Sequence, residues 1–289
     1  MAHPQIASFA RLAKGGNAPT KVIYGQVTRL SRTMHDIRYD ETRDEIYVTN
    51  PFAQAIMTFK GGSNGQVGPI RTIQGPKTLL DDPDTLEVDP VTDEIIIPQG
   101  NEILVFSQTA NGDVAPIRIV KGGRTMGWRA GRGVASDPVH NLLITDGTLL
   151  GEDGRPNAIY RGGRDSILIF DRTANGEVKP LRIIRGPKTG IKGIRQMQVY
   201  PKNGWILVAQ ITDGGIPIPE GTFLGVWSIY DDGDVPPRWK IDGKDSNVMK
   251  KPRGVTYNAK HKEVIVSDMR LNAVLTFSFP EIFDQAAKP

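Results

Sequence analysis

Arg132, Arg195 and Arg253 hold the same place in three segments of this 289-residue chain. Each stands two residues ahead of an alternating stretch: Val134-Ala135-Ser136-Asp137, Met197-Gln198-Val199-Tyr200 and Val255-Thr256-Tyr257-Asn258. In two further segments the place falls to His35, ahead of Ile37-Arg38-Tyr39-Asp40, and to Asp84, ahead of Leu86-Glu87-Val88-Asp89. A guanidinium is always charged and offers a planar fork of donors, so arginines gathered on one rim suit a carboxylate or phosphate. Read structurally, the same rim is a salt-bridged plug, with Asp84, Asp146 and Asp268 as partners of the arginines. A second polar set, Asn50, Gln99, Asp146, Gln210 and Asp268, closes five strongly apolar runs. Trp128 lies beside these with no counterpart in the other segments. Its indole either anchors a loop or stacks on a sugar or base.

Strands must position these residues, and the strands recur. Ile56-Met57-Thr58-Phe59, Ile103-Leu104-Val105-Phe106 and Ile167-Leu168-Ile169-Phe170 each end in a phenylalanine ten positions before a proline: Pro69, Pro116 and Pro180. Asn64-Gly65, Asn111-Gly112 and Asn175-Gly176 lie between, which reads as a hairpin turn. A shorter copy runs from Trp227 to Pro237, and the N-terminus carries another, from Phe9 to Pro19 and on through Lys21-Val22-Ile23-Tyr24. Before each copy comes an alternating strand, a turn, and a run such as Ile46-Tyr47-Val48 or Ile95-Ile96-Ile97, apolar enough to be buried on both faces.

Each unit is thus four antiparallel strands, a to d, and units of this length and pattern are β-propeller blades. The fold expected is all-β, one propeller domain over 1–289, with repeats at 33–75, 79–122, 126–186, 190–243 and 247–279 plus 6–25. Five a–b hairpins give five blades, with a six-bladed ring holding one degenerate blade as the alternative. The last unit lacks a d strand, so the N-terminal Lys21–Tyr24 is expected to supply it and close the ring from both ends. One c strand, Ile6–Phe9 or Val274–Phe277, is then surplus.

Composition narrows the function classes. Charged residues make up 24% of the chain, an ordinary share that argues against wholesale disorder. The absence of cysteine excludes disulfide scaffolds, thiolate metal sites and cysteine nucleophiles. No apolar run is long enough to span a bilayer. Met1 to Phe9 has no basic-then-apolar export pattern, which reads as cytoplasmic as the sequence stands, and as periplasmic or secreted where a signal has been removed. Net charge is +4, mildly basic, without the aromatic-interleaved stripe of a nucleic-acid site. Nucleic acid is therefore set aside, and the chain is expected to be a monomer.

Pro252-Arg253-Gly254-Val255-Thr256-Tyr257-Asn258 resembles the entry into strand a of NHL-type bacterial propeller repeats. Asp44-Glu45-Ile46-Tyr47-Val48-Thr49-Asn50 resembles strand b of the related YVTN-type propellers. The resemblance covers nearly the whole chain and implies a fold more than an activity. In such propellers the entry to strand a and the end of strand b lie on the top face. His35, Asp84, Arg132, Arg195 and Arg253 would then ring a funnel with Asn50, Gln99, Asp146, Gln210, Asp268 and Trp128. Insertions at 147–164 and 211–222 rise on that same face, where variable loops carry function.

Propeller lyases of this resemblance set more than one histidine at the channel, whereas His35 stands alone there; His140 and His261 fall in a–b turns and His3 in the tail. Lactonase-type propellers hold a divalent cation on carboxylates and amides, for which Asn50, Asp146 and Asp268 qualify by type, though nearby arginines oppose it. Asp146, Glu152, Asp153 and Asp165 lack the regular spacing of a calcium loop. The leading expectation is a non-catalytic protein without a cofactor, taking an anionic small molecule, glycan or protein segment at the funnel. The alternative is a metal-dependent lactonase or lyase in the same place, with calcium or another divalent cation.

Overall fold

A computed structural model describes residues 4–32, 34–159, 164–212, 221–246 and 248–289. The chain divides into two compact units. The first holds Met1–Ile97 and Val105–Ile117; the second holds Pro98–Leu104 and Arg118–Pro289. In the first lie β1 (Gln5–Ser8), β2 (Lys21–Tyr24), β3 (Ile37–Asp40), β4 (Glu45–Asn50), β5 (Ala55–Lys60), β6 (Arg71–Gln74) and β7 (Glu87–Asp89). The division runs through β8 (Glu94–Gln99) and β9 (Glu102–Ser107). In the second lie β10 (Arg118–Lys121), β11 (Trp128–Asp137), β12 (Leu142–Leu149), β13 (Ser166–Asp171), β14 (Gly176–Glu177), β15 (Arg182–Arg185) and β16 (Ile194–Tyr200). There follow β17 (Trp205–Gln210), β18 (Phe223–Ser228), β19 (Trp239–Asp242), β20 (Pro252–Asn258), β21 (Glu263–Asp268) and β22 (Ala273–Ser278).

The class is a β-propeller of five antiparallel blades: β3–β6, β7–β10, β11–β13 with β15, β16–β19, and β20–β22. Among the described residues helices are confined to single turns, such as Gly243–Ser246 and Glu281–Asp284. No described helix is long and apolar enough to cross a membrane. The apolar runs become the inner strands as expected, with every residue of β4 and β17 buried.

Strand a ends in a residue that fastens its own turn. Asp40, Asp89 and Asp137 each accept two backbone N–H groups, from Thr42 and Arg43, Val91 and Thr92, and Val139 and His140. Each turn then needs a left-handed residue before strand b. Asp44, Asp93, Asn141 and Lys262 take it at φ between 51° and 56°, and Gly204 takes it at 71°.

The Asn-Gly pairs do not make the expected tight hairpin turns. Only the glycines have positive φ, at 90° for Gly65, 79° for Gly112 and 76° for Gly176. Each asparagine instead accepts an N–H from the outer strand of the preceding repeat: Asn64 from Val22, Asn111 from Thr72 and Asn175 from Ile119. The glycine backbone completes the hook, as with Gly65 on Val22 at 2.7 Å. Asp232 serves Ile183 in the same way. The motif is a clasp between successive repeats.

β2 pairs with β1 in a two-stranded sheet, and β20-β21-β22 is a separate three-stranded one. Burial explains where the N-terminal hairpin stays. Ile6 and Ile23 pack with Ile46, Val48, Met57 and Phe59 of the first unit. Gln5–Ser8 therefore keeps its c-type place beside β2.

One polar cluster braces that unit. Glu45 accepts from Arg71 through both oxygens, at 3.1 Å from Nη1 to Oε1, and from the Tyr47 hydroxyl at 2.7 Å. Burial alone would raise the Glu45 carboxyl, but Arg71, Tyr47 and Lys60 hold it down at about 2. A carboxylate lowered from the ordinary 4.5 stabilises the fold above that value and loses its contribution as pH falls toward about 2. Glu45→Gln should therefore lower stability at neutral pH by about 1–3 kcal/mol, as expected when a charged hydrogen-bond partner is lost. The gap between parent and variant, read by far-ultraviolet circular dichroism in urea, should narrow as the medium is acidified. A constant gap across that range would show that the charge of Glu45 contributes nothing.

Candidate functional site

In the second unit, three sheets carry a register shift near the start of their first strand. Between Ile194 opposite Gln210 and Gln196 opposite Ala209, Arg195 is the extra residue of a bulge. Arg253 is the extra residue between Pro252 opposite Asp268 and Gly254 opposite Ser267. In β11 the register shifts between Ala130 and Val134, and Arg132 lies in that shift. A bulge leaves one residue unpaired and re-aims its side chain. Because β16 packs beside both β11 and β20, the three bulges stand on neighbouring strands.

Arg164, which enters β13 from the far side of the insertion, joins them. Its positive charge, with those of Arg253 and Arg132, acts on Arg195. The Arg195 guanidinium is lowered to about 10, first by burial and then by these three like charges, with Asp146 opposing. Arg253 is lowered too, by burial and then by Arg132 and Arg164. Arg195 Nε and Arg164 Nη1 are buried with no hydrogen-bond partner among the described residues. Arg253 Nε donates to the Met269 sulfur, a weak acceptor, at 3.4 Å.

Asp146, at 0% exposure, sits against this cluster. Its Oδ1 accepts the Gly133 N–H at 2.5 Å, while Oδ2 is buried without a partner among the described residues. Gly131 makes the approach feasible, since a Cβ there would lie 2.2 Å from that Oδ2. Burial pushes the Asp146 carboxyl up to about 6 against the pull of Arg164 and of the Gly133 and Arg132 backbone.

The remaining expected site residues take other places. Asp268 accepts Lys250 and Lys251 N–H on one oxygen, at 2.6 and 2.8 Å, and Arg270 and Leu271 N–H on the other, both at 3.0 Å. Gln210 accepts Lys192 N–H and donates to the Gly190 and Gly221 carbonyls. Asn50 accepts from Ser31 and Ala53 and donates to Arg29. These three ends of strand b fasten entry loops by backbone hydrogen bonds. Gln99 is half-buried at the end of β8. Trp128 is fully buried, its indole N–H bonded to the Val178 carbonyl at 2.7 Å and its ring against Phe170. It anchors its loop and presents no stacking face. The strand reaches it because β11 and β12 run on past the bulge, pairing Trp128 with Leu149.

In the first unit His35 and Asp84 pair with each other through Nδ1 and Oδ1. Asp84 thus has His35 as a partner, and Asp268 has four backbone N–H groups. Comparison of the repeats does not reveal Arg164, because it sits in an insertion that no other repeat shares. The parts of the two insertions at 160–163 and 213–220, and His3, lie outside the described residues.

No protein-family model matches this chain, and no curated protein matches it. Among solved structures it is similar to hydrazine synthase from Kuenenia stuttgartiensis, with a TM-score of 0.54 and 13% sequence identity. The alignment covers 81% of this chain and 55% of that one, so the chain spans about half the length of the protein it matches. At that identity the likeness carries the propeller fold alone.

Proposed function

We propose that this chain is a non-catalytic binding protein whose second unit takes a polyvalent anion in the arginine cluster. The ligand is an anionic small molecule, or the acidic group of a glycan or protein segment. One observation carries the reading: Arg132, Arg164 and Arg195 act on a single buried carboxylate, Arg253 presses on Arg195 beside them, and two of the cluster's buried donors have no partner among the described residues. Like charges this close raise the energy of the free protein, and an anion with several acceptor oxygens relieves them together. The repeats that aim these arginines are, in the same proposal, of NHL or YVTN type, supported by Pro252-Arg253-Gly254 standing at the bulge.

The metal-assisted alternative draws no comparable support. Both oxygens of Asp268 already serve backbone N–H groups, and Asp146 lies among guanidiniums that would repel a cation.

Sulfate tests the proposal. Exclusion of sulfate from protein surfaces raises stability steadily with concentration. A site adds a saturating increment at low concentration, worth about 2.7 kcal/mol at a hundredfold excess over Kd. We expect a saturating rise in Tm with millimolar sodium sulfate that sodium chloride at equal ionic strength does not give. Identical responses to the two salts would sink the anion site.

A further inference from the structure

Resting on that reading, we infer that anion capture in the second unit is coupled to proton uptake by Asp146, so that the site tightens as the medium becomes acidic. The geometry sets up the coupling. Asp146 is buried beneath the arginine cluster, with one oxygen held by Gly133 N–H and the other without a partner among the described residues. While ionised, it spends part of the field of Arg132, Arg164 and Arg195 on itself. An incoming anion competes for that field and places a second negative charge beside a desolvated carboxylate. Two like charges in a dry site do not both persist, so one is neutralised. A proton from solution goes to Asp146, and its unpartnered Oδ2 is the oxygen able to hold it. Coupling is reciprocal: if the anion favours the proton, the proton favours the anion.

The groups around Asp146 leave it as the one that changes charge. Arg132 comes from β11, Arg164 from the entry to β13 and Arg195 from β16, and guanidiniums remain charged throughout this range. Asp165, next to Arg164, is engaged elsewhere: it accepts Ile159 N–H at 2.6 Å and pairs with Arg185 at 3.5 Å. His140 belongs to the other end of this sheet, on Asp137 at 2.8 Å. Thr145 gives its hydroxyl to the Gly133 carbonyl. Burial already lifts the Asp146 carboxyl toward neutrality, which places its titration within a physiological range.

Calorimetric titration of the full chain with sodium sulfate decides the matter, because sulfate keeps both charges over the range tested. Ionic strength is held constant, and each pH is run in two buffers of different ionisation enthalpy. Sulfate should bind at least about fivefold more tightly at about pH 5.5 than at about pH 7.5, with measurable proton uptake near neutrality. Asp146→Asn should bind sulfate at least as tightly as the parent does in acid, with no pH dependence and no uptake. Sulfate binding that is independent of pH and takes up no proton would overturn the coupling and leave the anion site standing. So would a variant that keeps the pH dependence of the parent. No sulfate binding at any pH would overturn the anion site itself, and the coupling with it. Should Asp146→Asn fail to fold, the count of protons taken up by the parent separates the same outcomes.

Discussion

Removing residues 1–25 should strip the first unit of much of its stability. The deleted hairpin supplies Ile6 and Ile23, at 8% and 2% exposure, to the cluster formed by Ile46, Val48, Met57 and Phe59. It also carries the outer strand that the Asn64-Gly65 clasp holds. Without it the Asn64 side chain and the Gly65 backbone lose their partners on Val22, and Gly65 O loses Tyr24 N–H. A buried isoleucine cut to alanine costs about 2–5 kcal/mol, and the truncation removes two isoleucines with their backbone pairing. The truncated chain should therefore melt on the order of 10 °C lower, or aggregate through the newly bared face. Ile23→Ala isolates the packing contribution and should lose about 2–5 kcal/mol without touching the clasp. Phe9→Ser is the control, because Phe9 is 54% exposed and its loss should be close to neutral. Amide exchange in β4 and β5 localises the effect. If the truncated chain keeps the melting temperature and the amide protection of the parent, the hairpin is an appendage and the packing of Ile6 and Ile23 contributes nothing.

The propeller class was legible because each blade repeats its own requirements. Apolar runs such as Ile95-Ile96-Ile97 need burial on both faces, and the phenylalanine-to-proline spacing sets the length of the c–d connection in the first three repeats. Arg132, Arg195 and Arg253 were legible as equivalent positions for the same reason, although nothing in the pattern announced that each occupies a bulge. What stayed hidden depends on partners far away in sequence. Asn-Gly carries the signature of a tight turn, yet here the glycine supplies the positive φ while the asparagine side chain reaches 42 residues back to Val22. Asp268 and Asn50 have the residue types of cation ligands, and only the approach of entry-loop backbone, the Lys250 N–H to Asp268 and the Arg29 carbonyl to the Asn50 amide, reveals them as fasteners. Lys21–Tyr24 has the pattern of an outer strand, which fits the edge of any c strand. Its choice of Gln5–Ser8 is settled by the burial of Ile6 opposite Ile23.

Arg195→Ala separates a waiting anion site from an internal brace more sharply than any other single change. In the parent, Arg195 is half-buried, its Nε has no partner among the described residues, and three other guanidiniums press on it. Removing it relieves repulsion and deletes a buried donor that has no acceptor, so Tm in chloride should hold or rise slightly. Sulfate affinity should nonetheless fall about tenfold or more, since a hydrogen bond to a charged group is worth about 1.5–3 kcal/mol. Arg195→Lys keeps the charge but loses the planar fork, so its affinity should lie between those of the parent and the alanine variant. Were Arg195 a brace, its loss would leave a carboxylate unpaired and lower Tm equally in both salts. A pair that remains partly solvated contributes at most about 1 kcal/mol, so that fall would be small, and the sulfate increment would survive intact. The two pictures therefore predict opposite signs in chloride and opposite fates for the sulfate increment. A lowered Tm in chloride together with undiminished sulfate binding would assign Arg195 to the fold and remove it from the site.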